Sequence, residues 1–346
     1  MLQTLDTRLV SDSPMWKHLL SNYNFALLIT CDQLGVFGLI EGGEHTFSTL
    51  SSTLKLNEKG VTAVILVLKC LGYVDFEHGK IVNTDLTKTY LLPDSHFYWG
   101  DVLKDDLNIY HMTTLQDRIL DSLKDEHNLE CDGHSVTEMW EEEKMSQPVA
   151  DAFTRLMHNH IFATAVYSMN QGIYESVDRL LDAGGGSGAF SIAFCKKYPD
   201  KTSAILELDT VCKEAEKYIR RYQCENQIKT ISGNFFHEEN WPDGYDAINF
   251  SNVFHDWQPV QCLRLAQIAF NKLPNGGRIF LHEMLLNEEG DGPLNAVLFN
   301  LHMFINHKSQ QFTQKQLYDM LESVGFVDCT TQHSLGDYSV ISAVKP

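Results

Sequence analysis

The chain has 346 residues, 43% of them hydrophobic, and a formal net charge of −19, which is enough apolar material to bury one large core or two smaller ones. Acidity of this strength repels nucleic acid backbones and anionic membranes and disfavours a polyanionic substrate. No stretch approaches the length of a membrane span, and MLQTLDTRLVSDSP has neither the basic start nor the apolar run of a signal peptide, so a cytoplasmic protein is expected.

The first hundred residues read as largely helical. WKHLLSNYNFALLITCDQLGVFGLI spaces its apolar residues three and four apart, and GVTAVILVLKCLGYV does the same more densely. Between them FSTLSSTLKLNEKG gives a short helix and a turn, and YVDFEHGKIVNTD predicts two strands around a turn at EHGK. Together these make a helix-turn-helix with a wing. A DNA reader needs Arg or Lys along its second helix, and Gly60 to Val74 offers only Lys69, so a structural or dimerisation role is favoured. From Asp101 to about Gln171 a mostly helical connector follows, in which EEEK at 141–144 reads as a solvated face. Phe153, Leu156, Met157 and His160 share one helical face there. By pattern alone that stripe is core packing, but its place just before a glycine loop makes it a candidate pocket wall.

From about Gly172 strands and helices alternate, the mark of a doubly wound α/β sheet. The strands are DRLLDA, SAILEL, IKTISG, YDAINFSN and GRIFLHEML, and FVDCTT with YSVISAVK predicts a terminal antiparallel hairpin. The first strand ends in LLDAGGGSGAF, for which three ligands compete. A nucleoside triphosphate requires GK followed by Ser or Thr, which the loop lacks. A dinucleotide fits better, because Gly184, Gly186 and Ala189 keep a G-x-G-x-x-A spacing and Glu207 ends the next strand, where a ribose-binding acid belongs. S-adenosylmethionine (SAM) also presents a ribose to that acid, but it carries an ammonium where a dinucleotide carries a pyrophosphate. Asp182, just before the glycines, suits an ammonium and suits a pyrophosphate poorly. The loop therefore favours SAM.

Two further segments, NVFHDWQPVQC and LHEMLLNEEGDGP, fall at strand ends on the ligand-binding edge. Taken with DAGGGSG, ELD, GNFF and the GF before the hairpin, they resemble the SAM-dependent O-methyltransferases of plants and animals that include the caffeic acid and hydroxyindole (acetylserotonin) enzymes. The resemblance covers nearly the whole chain. It implies a class I methyltransferase fold, a Rossmann-like sheet with a C-terminal antiparallel hairpin, preceded by a mainly helical winged-helix dimerisation domain. The implied boundaries are 1–105 for that domain, 106–171 for a connector lining the pocket and 172–346 for the catalytic domain. A homodimer acting on a small molecule of secondary metabolism, aromatic or polyketide-like, is expected.

The resemblance also implies roles for single residues. Gly184, Gly186 and Asp182 match the loop along the methionine tail, Glu207 the acid on the ribose hydroxyls, and Asn234 with Phe235 the pair beside the adenine, where Asp is usual at the first position. Trp257 matches the tryptophan near that base, and Ser251 stands where many relatives have a Lys that reaches the cofactor. His255 matches the catalytic base and Glu283 the carboxylate that orients it. Gln311, within KSQQFT, occupies the place of a second orienting glutamate. Phe153, Met157, His160, Asn252 and Met303 match positions near the substrate, Asn252 standing where plant members often have Trp.

The chemistry explains these residue types. A phenol with a pKa near ~10 is a poor nucleophile at neutral pH, and a histidine titrating at about 6.5 is suited to remove its proton. Glu283 holds one imidazole nitrogen as donor, while Asp256 is expected to cap the following helix. Gln311 can hydrogen-bond an imidazole but supplies no charge to an imidazolium, which leaves N- or C-methylation, or a non-methylating reaction, as alternatives. An NAD(P) oxidoreductase and a ligand-sensing winged-helix regulator are the alternatives from other classes. The eight cysteines, at 31, 70, 131, 195, 212, 224, 262 and 329, are scattered without a CxxC pair, and no two of the fifteen histidines stand in HxxxH spacing. Free thiols and no metal are expected.

Overall fold

The computed structural model describes residues 11–95, 98, 103, 113–124, 130, 131, 134–307 and 309–346. Contacts divide the chain into two units, one built on Pro14–Leu129 with Leu286–Gln311 and the other on Glu130–Leu285 with Phe312–Pro346.

The first unit begins with α1 (Ser13–Gln33), α2 (Val36–Gly42), α3 (Phe47–Leu54) and α4 (Glu58–Cys70). Asn57 caps α4 by accepting from the N–H of Gly60 at 3.0 Å. Strands β1 (Val74–Glu77) and β2 (Lys80–Asn83) form the antiparallel wing, with Glu77 opposite Lys80 at the turn. The two helices and the strand pair expected from the sequence are thus present. Lys69, in the last turn of the second helix, pairs with Asp291 at 3.0 Å and lies 3.8 Å from Asp75, so its charge is spent inside the protein. Helices α5 (Asp85–Tyr90) and α6 (Thr113–Lys124) follow. Gly60 lets α4 approach its neighbours closely, because a Cβ there would stand 2.7 Å from Leu123 and 3.0 Å from Phe304.

The second unit opens with β3 (Glu130–Cys131), β4 (His134–Ser135), the short α7 (Val136–Glu141) and the long α8 (Gln147–Asn170). Then β5 (Arg179–Ala183), α9 (Ala189–Lys197), β6 (Thr202–Glu207), α10 (Asp209–Arg221), β7 (Ile228–Ser232), β8 (Ala247–Ser251), α11 (Pro259–Lys272) and β9 (Arg278–Met284) alternate as expected. Leu294–His307 forms α12 of the first unit, after which α13 (Gln314–Val324), β10 (Val327–His333) and β11 (Tyr338–Val344) complete the second. The seven-stranded sheet runs β10-β11-β9-β8-β5-β6-β7, parallel from β9 to β7 and antiparallel at its β10-β11 edge. Its central strands are buried along nearly their whole length, as helices on both faces require. The chain order reverses between β5 and β8, which opens the ligand crevice at their C-terminal ends. This is the class I methyltransferase arrangement.

The two units do not follow the expected boundaries at 105 and 171. Both α7 and α8 pack in the sheet's unit, and α12 packs with the N-terminal helices. No single described helix is long and apolar enough to cross a membrane.

Candidate active site

The glycine loop owes its shape to two positions. Gly184 has φ +69° and donates its N–H to Leu206 O at 2.9 Å, and a Cβ on it would stand 2.9 Å from Val253 and 3.4 Å from Phe235. Gly186, at φ +54°, has open space on its Cβ side and donates its N–H to Glu207 Oε1 at 3.2 Å. The loop is closed against the protein on one side and open on the other, as a cradle for a ligand tail must be.

Asp182 sits beneath it, 1% exposed. Its Oδ2 accepts from Ser191 Oγ at 2.9 Å and Ser191 N at 3.3 Å, and its Oδ1 accepts from Asn249 Nδ2 at 2.9 Å. Burial pushes the carboxyl upward and these bonds oppose it. Each Asp182 oxygen thus accepts from a protein group, so the carboxylate braces the start of the loop. Glu207 is also buried, and its Oε2 accepts from the N–H of Leu208 at 2.9 Å. Burial carries its pKa up to about 7 against the bonds from Leu208 and Gly186.

His255 lies past β8 in the turn Phe254–Asp256, 3% exposed. Its Nδ1 stands 2.7 Å from Glu283 Oε2. The other Glu283 oxygen accepts from the N–H groups of Val253, at 3.2 Å, and Phe254, at 3.0 Å, so one carboxylate fixes both the ring and the turn carrying it. Burial works against the imidazolium, but the Glu283 and Asp256 carboxylates outweigh it and raise the His255 pKa to about 9. That corrects the expected 6.5. Asp256 is a further correction: its Oδ1 lies 3.6 Å from His255 Nε2, and the N-cap of α11 is Gln258, whose N–H is accepted by Gln261 Oε1 at 3.1 Å. Burial pushes the Asp256 carboxyl up to about 6.

The other expected residues fall into two groups. Phe235 and Trp257 meet in an aromatic cluster with Phe236, the Trp257 ring lying edge-on to Phe236 at 4.6 Å. Ser251 Oγ bonds His282 Nδ1 at 3.0 Å. Asn252 holds a left-handed φ of +53°, donates its N–H to His282 O at 3.0 Å and donates Nδ2 to Tyr338 Oη at 3.1 Å. Tyr338 Oη is also 2.6 Å from His160 Nε2. On α8, Phe153 lies edge-on to Trp140 at 5.1 Å and Met157 is half-buried. Asn234, expected beside the adenine, has its side-chain amide wholly bonded to protein groups. Met303 and Gln311 belong to the other unit, where both are buried; Gln311 donates its N–H to Asn300 Oδ1 at 2.8 Å, and its own side-chain amide has no hydrogen-bond partner among the described residues.

Sequence reasoning passed over three residues of this region. His282 bridges Ser251 and Thr164, each at 3.0 Å, with its ring stacked on Tyr338 at 4.6 Å; burial and the charge of His255 lower its pKa to about 3, so it works as a neutral linker. His158 stacks on Tyr218 at 4.0 Å and bonds Ser187 of the glycine loop at 2.8 Å; burial and Arg221 lower its pKa to about 4. The adjacency of His282 to Glu283 was the only available signal, and nothing local marks Tyr338. Among the described residues no group of three His, Cys, Asp or Glu side chains is placed to hold a metal.

A glycine cradle before α9, an acid ending β6 and a buried His–Glu pair past β8 and on β9 define a SAM-dependent methyltransferase of class I. Residues 112–327 match the family described as O-methyltransferase domain, and the chain belongs to that family. It is similar, at 23% identity over 318 residues, to a 3-hydroxy-5-methyl-1-naphthoate 3-O-methyltransferase of Streptomyces sahachiroi, covering 90% of this chain and 89% of that protein. It is also 32% identical over 161 residues to an L-tyrosine C(3)-methyltransferase of Streptomyces lavendulae, a region amounting to 43% of this chain and 44% of that one. Among solved structures, a family 2 O-methyltransferase from Planctomyces limnophilus DSM 3776, in complex with apigenin, superposes with a TM-score of 0.80 at 23% identity, covering 99% of this chain and 98% of that one.

Proposed function

We propose that the protein methylates a hydroxyl of a small aromatic molecule, with His255 as the general base. The observation that carries this reading is the 2.7 Å contact of His255 Nδ1 with Glu283 at the ligand edge of the sheet. Gly184 and Gly186 would hold the methionine tail of SAM and Glu207 its ribose, as the open Cβ side of Gly186 and the carboxylate beside its N–H allow. Bound SAM supplies an electrophilic methyl carbon on a positively charged sulfur. The neutral form of His255 takes the phenolic proton at Nε2, and Glu283 stabilises the resulting imidazolium from the Nδ1 side. Asp256, 3.6 Å from Nε2, adds to that stabilisation. Proton transfer of this kind contributes typically ~10² to 10⁴ in rate.

The naphthoate and apigenin of the relatives motivate an aromatic acceptor, and Asn252, His160 and Met157 are the proposed contacts on its side. Incubation with SAM and a panel of hydroxynaphthoates, hydroxyindoles and flavones, with mass spectrometry locating the methyl on oxygen, tests it. A panel left unmodified by protein that binds S-adenosylhomocysteine (SAH) would overturn the aromatic reading. The tyrosine C-methyltransferase among the relatives favours a second reading, in which the methyl goes to a ring carbon beside the phenol. Deprotonation by His255 serves both, because the phenolate is nucleophilic at oxygen and at the adjacent carbon. A homodimer belongs to the same proposal, and light scattering in solution tests it.

Glu207 gives a prediction on the cofactor side. Only its ionised form accepts from both ribose hydroxyls, and its pKa is pushed up to about 7. SAH affinity is therefore expected to fall up to about tenfold per pH unit below that value. Calorimetry across this range checks it, and in Glu207→Gln the slope should vanish.

A further inference from the structure

We propose that Asn234 is a positioning residue that clasps α7 over the adenosine end of the cofactor site, and not a residue that reads the adenine. The inference rests on the placement of the cofactor at Glu207 argued above.

Asn234 follows β7 by two residues, and the intervening Gly233 donates its N–H to Glu207 O at 2.9 Å, which sets Asn234 beside the end of β6. With the ribose at the acid ending β6, the attached base extends past the neighbouring strand end. Here an acid that accepts from an adenine amine would be useful, yet the residue is an amide and every one of its groups is in use. Nδ2 donates to Trp140 O at 3.2 Å and to Glu141 O at 3.0 Å, while Oδ1 accepts from Phe236 N at 2.9 Å; the residue is 2% exposed. Both N–H donors of the amide are thus taken and its oxygen already accepts one bond, so Asn234 has no donor to offer a base. An Asp at this position would set a carboxylate against two carbonyl oxygens. The choice of amide over acid thus follows from the contact with α7.

Helix α7 has six residues, too few to persist without outside anchors. It has several. Gln261 of α11 donates to the Glu141 carboxylate. Met139 packs with Met145, Leu208 and Val211, and Leu208 directly follows Glu207. Trp140 lies edge-on to Phe153 of α8. The Asn234 tie joins α7 to the turn that follows β7. With it closed, Met139 and Trp140 wall the adenosine end, and release of the cofactor requires it to open.

SAH binding and dissociation kinetics, measured by calorimetry and stopped-flow fluorescence on wild type, Asn234→Asp and Asn234→Ala, test the clasp. Both variants are expected to bind SAH about tenfold more weakly or worse, through faster dissociation, while the unliganded proteins melt close to wild type. If Asn234 reads the adenine as an acid does in relatives, Asn234→Asp keeps or improves SAH affinity, and the clasp is wrong. Failure of the wild type itself to bind SAH would instead remove the cofactor placement and the clasp with it. Hydrogen exchange on the wild type avoids any variant that misfolds: amides of Val136–Glu141 are expected to exchange more slowly with SAH bound, and unchanged exchange would overturn the proposal.

Discussion

His255→Ala is expected to lower turnover by about 10² to 10⁴-fold while leaving SAH affinity nearly intact. The pH dependence is the sharper measurement. His255 must be neutral to accept a proton, and the Glu283 and Asp256 carboxylates hold its pKa at about 9 against the effect of burial. The neutral fraction therefore grows about tenfold per pH unit up to that value, and kcat/KM should rise with it and level off near pH 9. In Glu283→Gln the nearer charge is gone and only Asp256 opposes burial, so the rise should move to lower pH and reach a lower plateau. A profile flat across neutral and alkaline pH would mean that the acceptor arrives already ionised or that another group is the base. Retained turnover in His255→Ala would point the same way.

Gly184→Ala is expected to cost about tenfold or more in SAH affinity. Two effects add at this position. A residue with a Cβ pays about 1–2 kcal/mol to hold the left-handed conformation that Gly184 adopts at φ +69°. The new Cβ would also stand 2.9 Å from Val253, whose branched side chain has little freedom to withdraw. Adding Val253→Ala should restore the steric part and leave the conformational part, so the double variant is expected to bind SAH between the single variant and wild type. Calorimetric titration reads this directly, and equal affinity in Gly184→Ala and wild type would show that the loop does not hold the ligand.

The sequence by itself determined much of the architecture, because it is written in local signals. Apolar runs such as RLLDA and IFLHEM, separated by helical stretches, fix the alternating elements of the sheet, and the residues at 184, 186 and 207 mark the proposed cofactor site. The N-terminal helices and strand pair were legible for the same reason, through the spacing of their apolar residues and the EHGK turn. The scarcity of cations along Gly60 to Val74 was legible too, and the structure adds that Lys69 is paired with Asp291. The His255–Glu283 pairing was legible only through the resemblance of the segments that carry them.

Tertiary structure decided what depends on residues far apart in the chain. The periodicity of α12 shows that it is buried but not in which core, so the grouping of Leu286–Gln311 with the N-terminal helices could not be read locally. The same holds for charge and hydrogen bonds. Asp256 looks like a helix cap from its neighbours in sequence, yet it stands against His255 and helps to raise that pKa. Asp182 stands before the glycines in sequence, and its bonds to Ser191 and to Asn249 of a neighbouring strand are set by the fold. Asn234 bonds α7 across more than ninety residues of sequence, and Tyr338 reaches His160 and Asn252 from the last strand. A pKa or a hydrogen bond is a sum over neighbours in space, and apart from the adjacent His255 and Asp256 the deciding neighbours in these cases are supplied by the fold.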